Sequence, residues 1–388
     1  MPYDECMATK RKSKKKHIVI DARTRQASSG RPVTRLLEHL QEVDGGAGST
    51  HKYTVILKPD DDWKPTAHNF TTTWNRTKMF SFNPLNQISY ALWLYDLKPD
   101  LVYFMMTPQV PLLYFGRQIT FTHDLLMFKF ARAGRLPEWL HKIRMQGYRL
   151  LMWQAHRKAA LVAVPTEFVK EDVNKRYLFL GRKLRVTLEA SEPPLPGRAK
   201  EPDEKPGEFI MYTGSAFPHK NLDRLVSAFC MLKEHHPDLK LVLVGKIEYH
   251  AKQLQKFVKK QDCADDVIFA NENGFVPDET LKWYLQNARA YVFPTLSEGF
   301  GLTGLEAMVH GCPVVSSNLS TLPEVHGDAA HYFDPTDIRD MAAKIDEVIS
   351  SEPLRKKLIE KGYENTKRFS WRRYTQQNLT MFKEVLGE

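Results

Sequence analysis

The chain has no apolar run of the roughly 18 to 20 residues that a bilayer span requires. Its first residues, MPYDECMATKRKSKKKH, are basic and lack the apolar stretch of a secretory signal, so the expected location is the cytoplasm. Cysteine is scarce. Cys6, Cys230, Cys263 and Cys312 stand far apart with no C-x-x-C pair, which points to neither a disulfide framework nor a zinc ribbon. Cys230 and Cys312 lie in apolar contexts and read as buried thiols. No helix-turn-helix, zinc knuckle or RNP-type aromatic pattern is present, so nucleic acid is not an expected partner. Short-period repeats are also missing.

What is present is 388 residues, too many for one ordinary core, so two domains are expected. Apolar residues make up 42% and charged residues 26%, the range of a soluble globular protein. The net charge of +10 calls for an anionic partner. Part of it is the run Lys10-Arg11-Lys12-Ser13-Lys14-Lys15-Lys16 in a basic head, residues 1–16. That head reads either as a solvated tail or as a contact with an anionic membrane surface, worth about 1 kcal/mol per basic residue near the lipid.

Apolar, β-branched segments alternate with helix-length segments. Strands are expected at 17–23, 52–58, 100–106, 117–124, 160–165 and 184–190. Near-continuous apolar strands separated by helices imply a parallel sheet covered on both faces. The segment SEPPLPGRAKEPDEKPGE, dense in proline, glycine and charge, breaks the pattern and places a linker at 191–207. The alternation restarts with strands at 208–214, 239–245, 266–271, 290–295, 313–317 and 330–335. In NLDRLVSAFCMLKEHH, Leu222, Leu225, Val226, Phe229 and Leu232 form the inward stripe of an amphipathic helix. The fold class is therefore α/β: two doubly wound, Rossmann-like parallel-sheet domains, 17–190 and 208–370, facing a cleft. Ligands in such sheets bind beyond the carboxyl ends of the strands.

The stretch SEGFGLTGLEAM, 297–308, sets Glu298 and Glu306 eight positions apart around two glycines and a helix start. A metal site, an acid/base pair and a sugar-nucleotide clamp each fit that spacing. Gly299 and Gly301 let the backbone approach a ligand closely. The helix expected from Leu302 offers unpaired N–H groups and a positive dipole end, suited to a diphosphate. Each carboxylate can accept two hydroxyl hydrogen bonds. Upstream, YTGSAFPHKNLDRL reads as strand, glycine turn, lysine, then helix.

These elements in this order, with FTHDLLMF at 121–128 and LPEV at 322–325, resemble the retaining GT-B glycosyltransferases of family 4. The resemblance runs from about residue 17 to the end. It includes a final helix, 371–388, that in this fold crosses back to the first domain. It implies a configuration-retaining hexosyltransferase with a nucleotide-sugar as co-substrate and no further cofactor. The acceptor would be a glycan or a lipid-linked glycan, and no metal would be required. GDP-mannose is favoured by its frequency in the family, and cell-surface polysaccharide synthesis is the expected setting.

By the same resemblance Glu298 holds donor-sugar hydroxyls, Glu306 the nucleotide ribose and Lys220 the departing phosphate, while His123 lies at the reacting sugar. Gly30, Gly214, Ser215, Phe300, Leu302 and Thr303 join the donor site, and the backbone of Phe275 and Val276 meets the base. Asp124 orients its neighbour or caps the next helix, and Glu324 braces the donor-side helix. Three features depart from the family pattern. The arginine that usually follows the glycine is absent, leaving His219 to substitute or the arginine dispensable. Thr303-Gly304 stands where relatives often have proline, and SSGRP where they often have Gly-Ile-Gly-Arg.

The segment 137–160, with Trp139, Leu140, Ile143, Tyr148, Leu151 and Met152 among basic residues, reads as an ordinary covering helix with a basic face, ahead of an interfacial amphipathic one. Two rival functions stay open: another GT-B reaction such as sugar-nucleotide epimerisation or phosphorolysis, and a non-catalytic membrane-associated scaffold.

Overall fold

The computed structural model describes residues 15–27, 30–46, 48–75, 83–130, 137–272 and 274–388. Most of the basic head therefore lies outside the described residues. The first domain runs β1 (Lys16–Asp21), α1 (Arg31–Asp44), β2 (His51–Leu57), β3 (Phe70–Trp74), α2 (Pro84–Asp96), β4 (Leu101–Phe104), β5 (Gln118–Phe121), α3 (Leu126–Lys129), α4 (Glu138–Lys158), β6 (Leu161–Val164), α5 (Glu167–Arg176) and β7 (Leu184–Val186). The second runs β8 (Phe209–Thr213), α6 (Leu222–Leu232), β9 (Lys240–Val244), α7 (Tyr249–Val258), β10 (Val267–Phe269), α8 (Asp278–Asn287), β11 (Ala290–Phe293), α9 (Leu302–Val309), β12 (Val314–Ser317), α10 (Leu322–His326), β13 (Ala330–Phe333), α11 (Ile338–Ser350) and α12 (Glu352–Thr366). The chain ends in α13 (Trp371–Leu386).

Both sheets are parallel throughout. The first has the order β3-β2-β1-β4-β5-β6-β7, and the second β10-β9-β8-β11-β12-β13. The strand order reverses between β1 and β4 in one domain and between β8 and β11 in the other, which opens a crevice at those carboxyl ends. This is the GT-B arrangement of two Rossmann-like domains. Ile18 and Ile20 face α1 and α13, while Val19, Val102 and Phe104 face α2 and the end of α4, as the alternation of a strand dictates. Each such buried side chain contributes about 1.5–3 kcal/mol.

Helix α13 returns to the first domain, packs on α1, and receives a 2.6 Å hydrogen bond from the Tyr103 hydroxyl at Asn378 Oδ1. Residues 191–207 contain no helix or strand, yet they are tied down. Leu195 N–H donates to His310 Nε2 at 3.0 Å, and Lys282 Nζ donates to the carbonyls of Leu195 and Gly197.

Strand β3 was not expected. Its sequence, FTTTW, buries only Phe70, and its threonines satisfy the sheet edge: Thr71 Oγ1 donates to Tyr53 O at 3.2 Å. A second correction concerns cysteine. Cys230 on α6 and Cys263 beyond α7 form a disulfide across 33 residues, because the two elements pack side by side with a Cα–Cα distance of 5.2 Å. Cys312 is the buried free thiol that its apolar context implied. Helix α4 buries Leu151, Met152 and Ala155 and exposes the basic residues Lys142, Arg144, Arg149 and Arg157, and its outward side also carries Trp139, Ile143, Leu150 and Trp153 as exposed side chains. Among the described residues no helix is long and apolar enough to cross a membrane.

Candidate functional site

The turn after β8 begins with Gly214 at φ +145°, a conformation that an L side chain rarely adopts. The chain then passes Pro218-His219-Lys220 and enters α6 through Asn221, itself left-handed at φ +60°. Asn221 is buried and donates from Nδ2 to the carbonyls of Pro294 and Pro335, at 3.0 and 2.8 Å. The His219 carbonyl accepts from Leu296 N–H at 2.8 Å and Thr295 Oγ1 at 3.0 Å. The lysine turn is thus clamped to the loop that follows β11. Lys220 Nζ consequently meets Glu298 Oε1 at 2.5 Å, with both side chains mostly buried.

The rest of the 297–308 stretch divides into parts that can face a ligand and parts that build the loop. Ser320 Oγ accepts from Glu298 N–H at 3.1 Å and donates to the Glu298 carbonyl at 3.0 Å, fixing that residue's backbone. Gly301, at φ +99°, turns the chain into α9, which starts at Leu302 as expected. Phe300 is buried edge-on against Phe369 at 5.5 Å, so it belongs to the core. Thr303 is half-buried in the first turn of α9, and Gly304 leaves room for His326, whose ring nitrogen would lie 2.3 Å from an added Cβ. Glu306 projects one turn along α9.

The opposite wall comes from the first domain. A Cβ on Gly299 would lie 2.4 Å from the His123 carbonyl, so the glycine permits the two domains to touch there. His123 Nε2 is 3.0 Å from the Met105 carbonyl, and its Nδ1 is 3.5 Å from buried Glu189. Burial opposes charge on this ring, but Glu189 and the Met105 carbonyl outweigh it and hold the pKa above the ordinary histidine value. Asp124 caps α3 by accepting from Leu126 N–H at 2.9 Å.

Arg31, the first residue of α1, makes a hydrogen-bonded ion pair with Glu306. Glu192 lies 3.8 Å from Arg31 and pairs with Arg35 one turn on. Burial pushes the Glu306 pKa up, Arg31 pulls it back and Glu192 adds to the rise; the net direction is upward. Gly30 has an ordinary negative φ. Its lack of a side chain serves packing, since a Cβ there would lie 1.8 Å from the Arg25 carbonyl.

The expected residues therefore do not all converge on one place. Lys220, Glu298, Gly299, Gly301, Leu302, Thr303, Glu306 and His123 gather at the crevice. Gly214 and the exposed Ser215 lie at its β8 side, where the Tyr212 hydroxyl donates to the Ser215 carbonyl at 3.1 Å. Phe275 is 80% exposed in the loop between β10 and α8, and Val276 packs partly buried against the core. His219 is buried, with its ring against Phe217 and, across the domain boundary, Phe130. Glu324 reaches across to the first domain and accepts from the N–H groups of Glu167 and Phe168, at 2.8 and 2.9 Å. Sequence reading passed over Arg31, Glu189 and Glu192 at the site. Of these, only Arg31 carried a signal, as the arginine next to the altered glycine loop.

Residues 197–365, the second domain, match the family model described as "Glycosyl transferases group 1". The chain is 28% identical over 276 residues to the "O-antigen chain mannosyltransferase B" of Escherichia coli, an alignment covering 69% of this chain and 70% of that protein. Among solved structures, the sucrose-phosphate synthase of Thermosynechococcus elongatus superposes with a TM-score of 0.74 at 18% identity, covering 96% of this chain and 99% of the other. Anabaena HepE in complex with UDP and glucose gives a TM-score of 0.70 at 16% identity, covering 95% and 100%. The second domain thus matches the group 1 glycosyltransferases, and the whole chain shares the fold of the two solved structures.

Proposed function

We propose that this chain, with a second domain homologous to the group 1 glycosyltransferases, moves a hexose from a nucleotide-sugar to a glycan or lipid-linked glycan with retention of configuration. The observation that carries the reading is the crevice itself. Lys220, Glu298, the start of α9 and Glu306 line the β8/β11 reversal, and His123 faces them from the first domain. The N–H groups and dipole of the α9 terminus suit a diphosphate. Lys220 is positioned to take up the charge that develops on the leaving phosphate. Glu298 accepts hydroxyls of the donor sugar and Glu306 those of the ribose.

In this mechanism the acceptor hydroxyl attacks from the face that the leaving group vacates. The departing phosphate oxygen takes its proton, so no protein carboxylate becomes a covalent nucleophile. His123, whose ring nitrogens face the Met105 carbonyl and Glu189, acts at the reacting sugar. The reaction needs no divalent metal ion and no further cofactor. The mannosyltransferase relatives favour GDP-mannose as donor and surface polysaccharide as the product class. The basic head would hold the enzyme at the inner face of the membrane.

A thermal-shift screen of UDP-, GDP- and dTDP-sugars identifies the donor, because a matched ligand stabilises by mass action. Transfer to an acceptor in the presence of a chelator is the expected result. An altered sugar formed from donor alone would instead establish an epimerase.

A further inference from the structure

We infer that the outward face of α2, the loop 110–116 and α4 is a docking surface for an anionic lipid bilayer. Helix α2 is apolar on both sides. Tyr90, Ala91 and Leu94 point into the sheet, while Leu85, Ile88, Leu92 and Tyr95 recur at helical spacing on the opposite side and are 73, 40, 60 and 42% exposed. The helix carries no lysine or arginine. A surface helix of a soluble domain ordinarily keeps its solvent side polar, and one that is apolar all round requires a second apolar partner.

The patch continues beyond that helix. The Tyr95 hydroxyl accepts from Phe115 N–H at 2.8 Å and donates to the Leu113 carbonyl at 3.4 Å, which sets exposed Leu113 and Phe115 beside the α2 stripe. On the other side of the loop, Gln154 Nε2 donates to the Leu112 carbonyl at 3.0 Å and Lys158 Nζ stands 3.8 Å from the Phe115 ring centroid. Along α4, Trp139, Ile143, Leu150 and Trp153 fall on one outward arc, 65, 61, 53 and 41% exposed. Two helices and the loop that stitches them therefore present one apolar face.

The charge around this face selects its occupant. Lys142, Arg144, Arg149 and Arg157 on α4 and Arg117 after the loop are all exposed, against Glu138 and Asp96. Tryptophan and tyrosine with an apolar body and a polar edge, flanked by basic residues, are the side chains that settle at a lipid headgroup layer. A second copy of the chain fits poorly, because a two-fold contact would set the same basic residues against themselves. Anionic lipid satisfies the apolar stripe and the basic rim together. This inference is independent of the transferase reading.

The test is flotation of the full chain with phosphatidylcholine vesicles, with and without phosphatidylglycerol, at low and high salt and with no donor present. Binding that requires phosphatidylglycerol and weakens with salt is expected. Ile88→Ser/Leu92→Ser and Trp139→Ala/Ile143→Ala should each reduce partitioning at least tenfold with unchanged circular-dichroism melts. A chain lacking residues 1–16 should still bind. Wild-type binding by both double variants overturns the inference, as does loss of binding only on removal of the head. Concentration-dependent dimerisation in light scattering without vesicle binding overturns it equally. A blue shift of tryptophan emission on adding phosphatidylglycerol vesicles to the wild-type chain is the second readout, and its absence counts against the inference.

Discussion

Arg31 of the first domain and Glu306 of the second form an ion pair across the crevice, 275 positions apart in sequence. Glu298 is likewise paired, with Lys220. Both carboxylates proposed to receive the donor's hydroxyls are thus already held by cations, and binding a nucleotide-sugar exchanges one set of partners for another. Arg31→Ala should bind free nucleotide several-fold more tightly, because the ribose no longer competes for Glu306, while turnover falls because a contact between the domains is lost. Titration calorimetry with GDP and steady-state kinetics measure the two effects. Weaker nucleotide binding would instead place Arg31 on the phosphates.

Glu298→Ala should reduce transfer by about 10²–10³-fold, the loss typical of removing one preorganised hydrogen-bonding group from an active site. Nucleotide affinity should change little, since the sugar and not the nucleotide is its proposed ligand. Turnover close to wild type would remove Glu298 from the sugar site.

Gly299→Ala forces a methyl group to within 2.4 Å of the His123 carbonyl. The two domains must separate to accept it, so turnover should collapse while the unfolding midpoint shifts only slightly. Small-angle scattering should report a larger radius of gyration; an unchanged radius with full activity would contradict this account of the glycine.

The His123–Glu189 pair predicts a pH dependence with a definite sign. The folded-state pKa of His123 is raised. Its contribution to stability is therefore complete below the unfolded value of about 6.5 and is lost as pH rises through the folded value. Glu189→Gln removes the charge partner, so its deficit in stability against wild type should be largest near pH 6 and shrink toward pH 9. Denaturant unfolding across that range gives the curve, and a deficit independent of pH would dissociate the two residues.

Cys230–Cys263 closes a loop of 33 residues. By chain entropy, cross-linking a loop of this size stabilises by roughly 3–4 kcal/mol. Cys230→Ser or reduction should lower the Tm of the second domain, measured by calorimetry with and without reductant.

Much of the fold was legible because parallel strands buried on both faces read as short apolar runs, as in KLVLV and AYVF. Strand β3 was not, since FTTTW has the composition of a polar edge. The disulfide escaped because its partners meet only after α6 and the segment beyond α7 have packed. Glu298, Glu306 and Lys220 stood out because one helix start and one glycine turn carry them within short spans. Arg31, Glu189 and the cross-domain reach of Glu324 depend on partners 275, 66 and 157 positions away, and no local pattern encodes such distances. For α4, periodicity marked an apolar arc but not which arc would face the sheet.

The Glu324 carboxylate caps the amide ends of α5 from the other domain. The first domain therefore leaves the start of one of its helices to be completed by the second. Whenever the halves swing apart, Glu167 and Phe168 lose their acceptor and their amides exchange with solvent, so the rate of deuterium uptake at two neighbouring positions records how often the molecule opens.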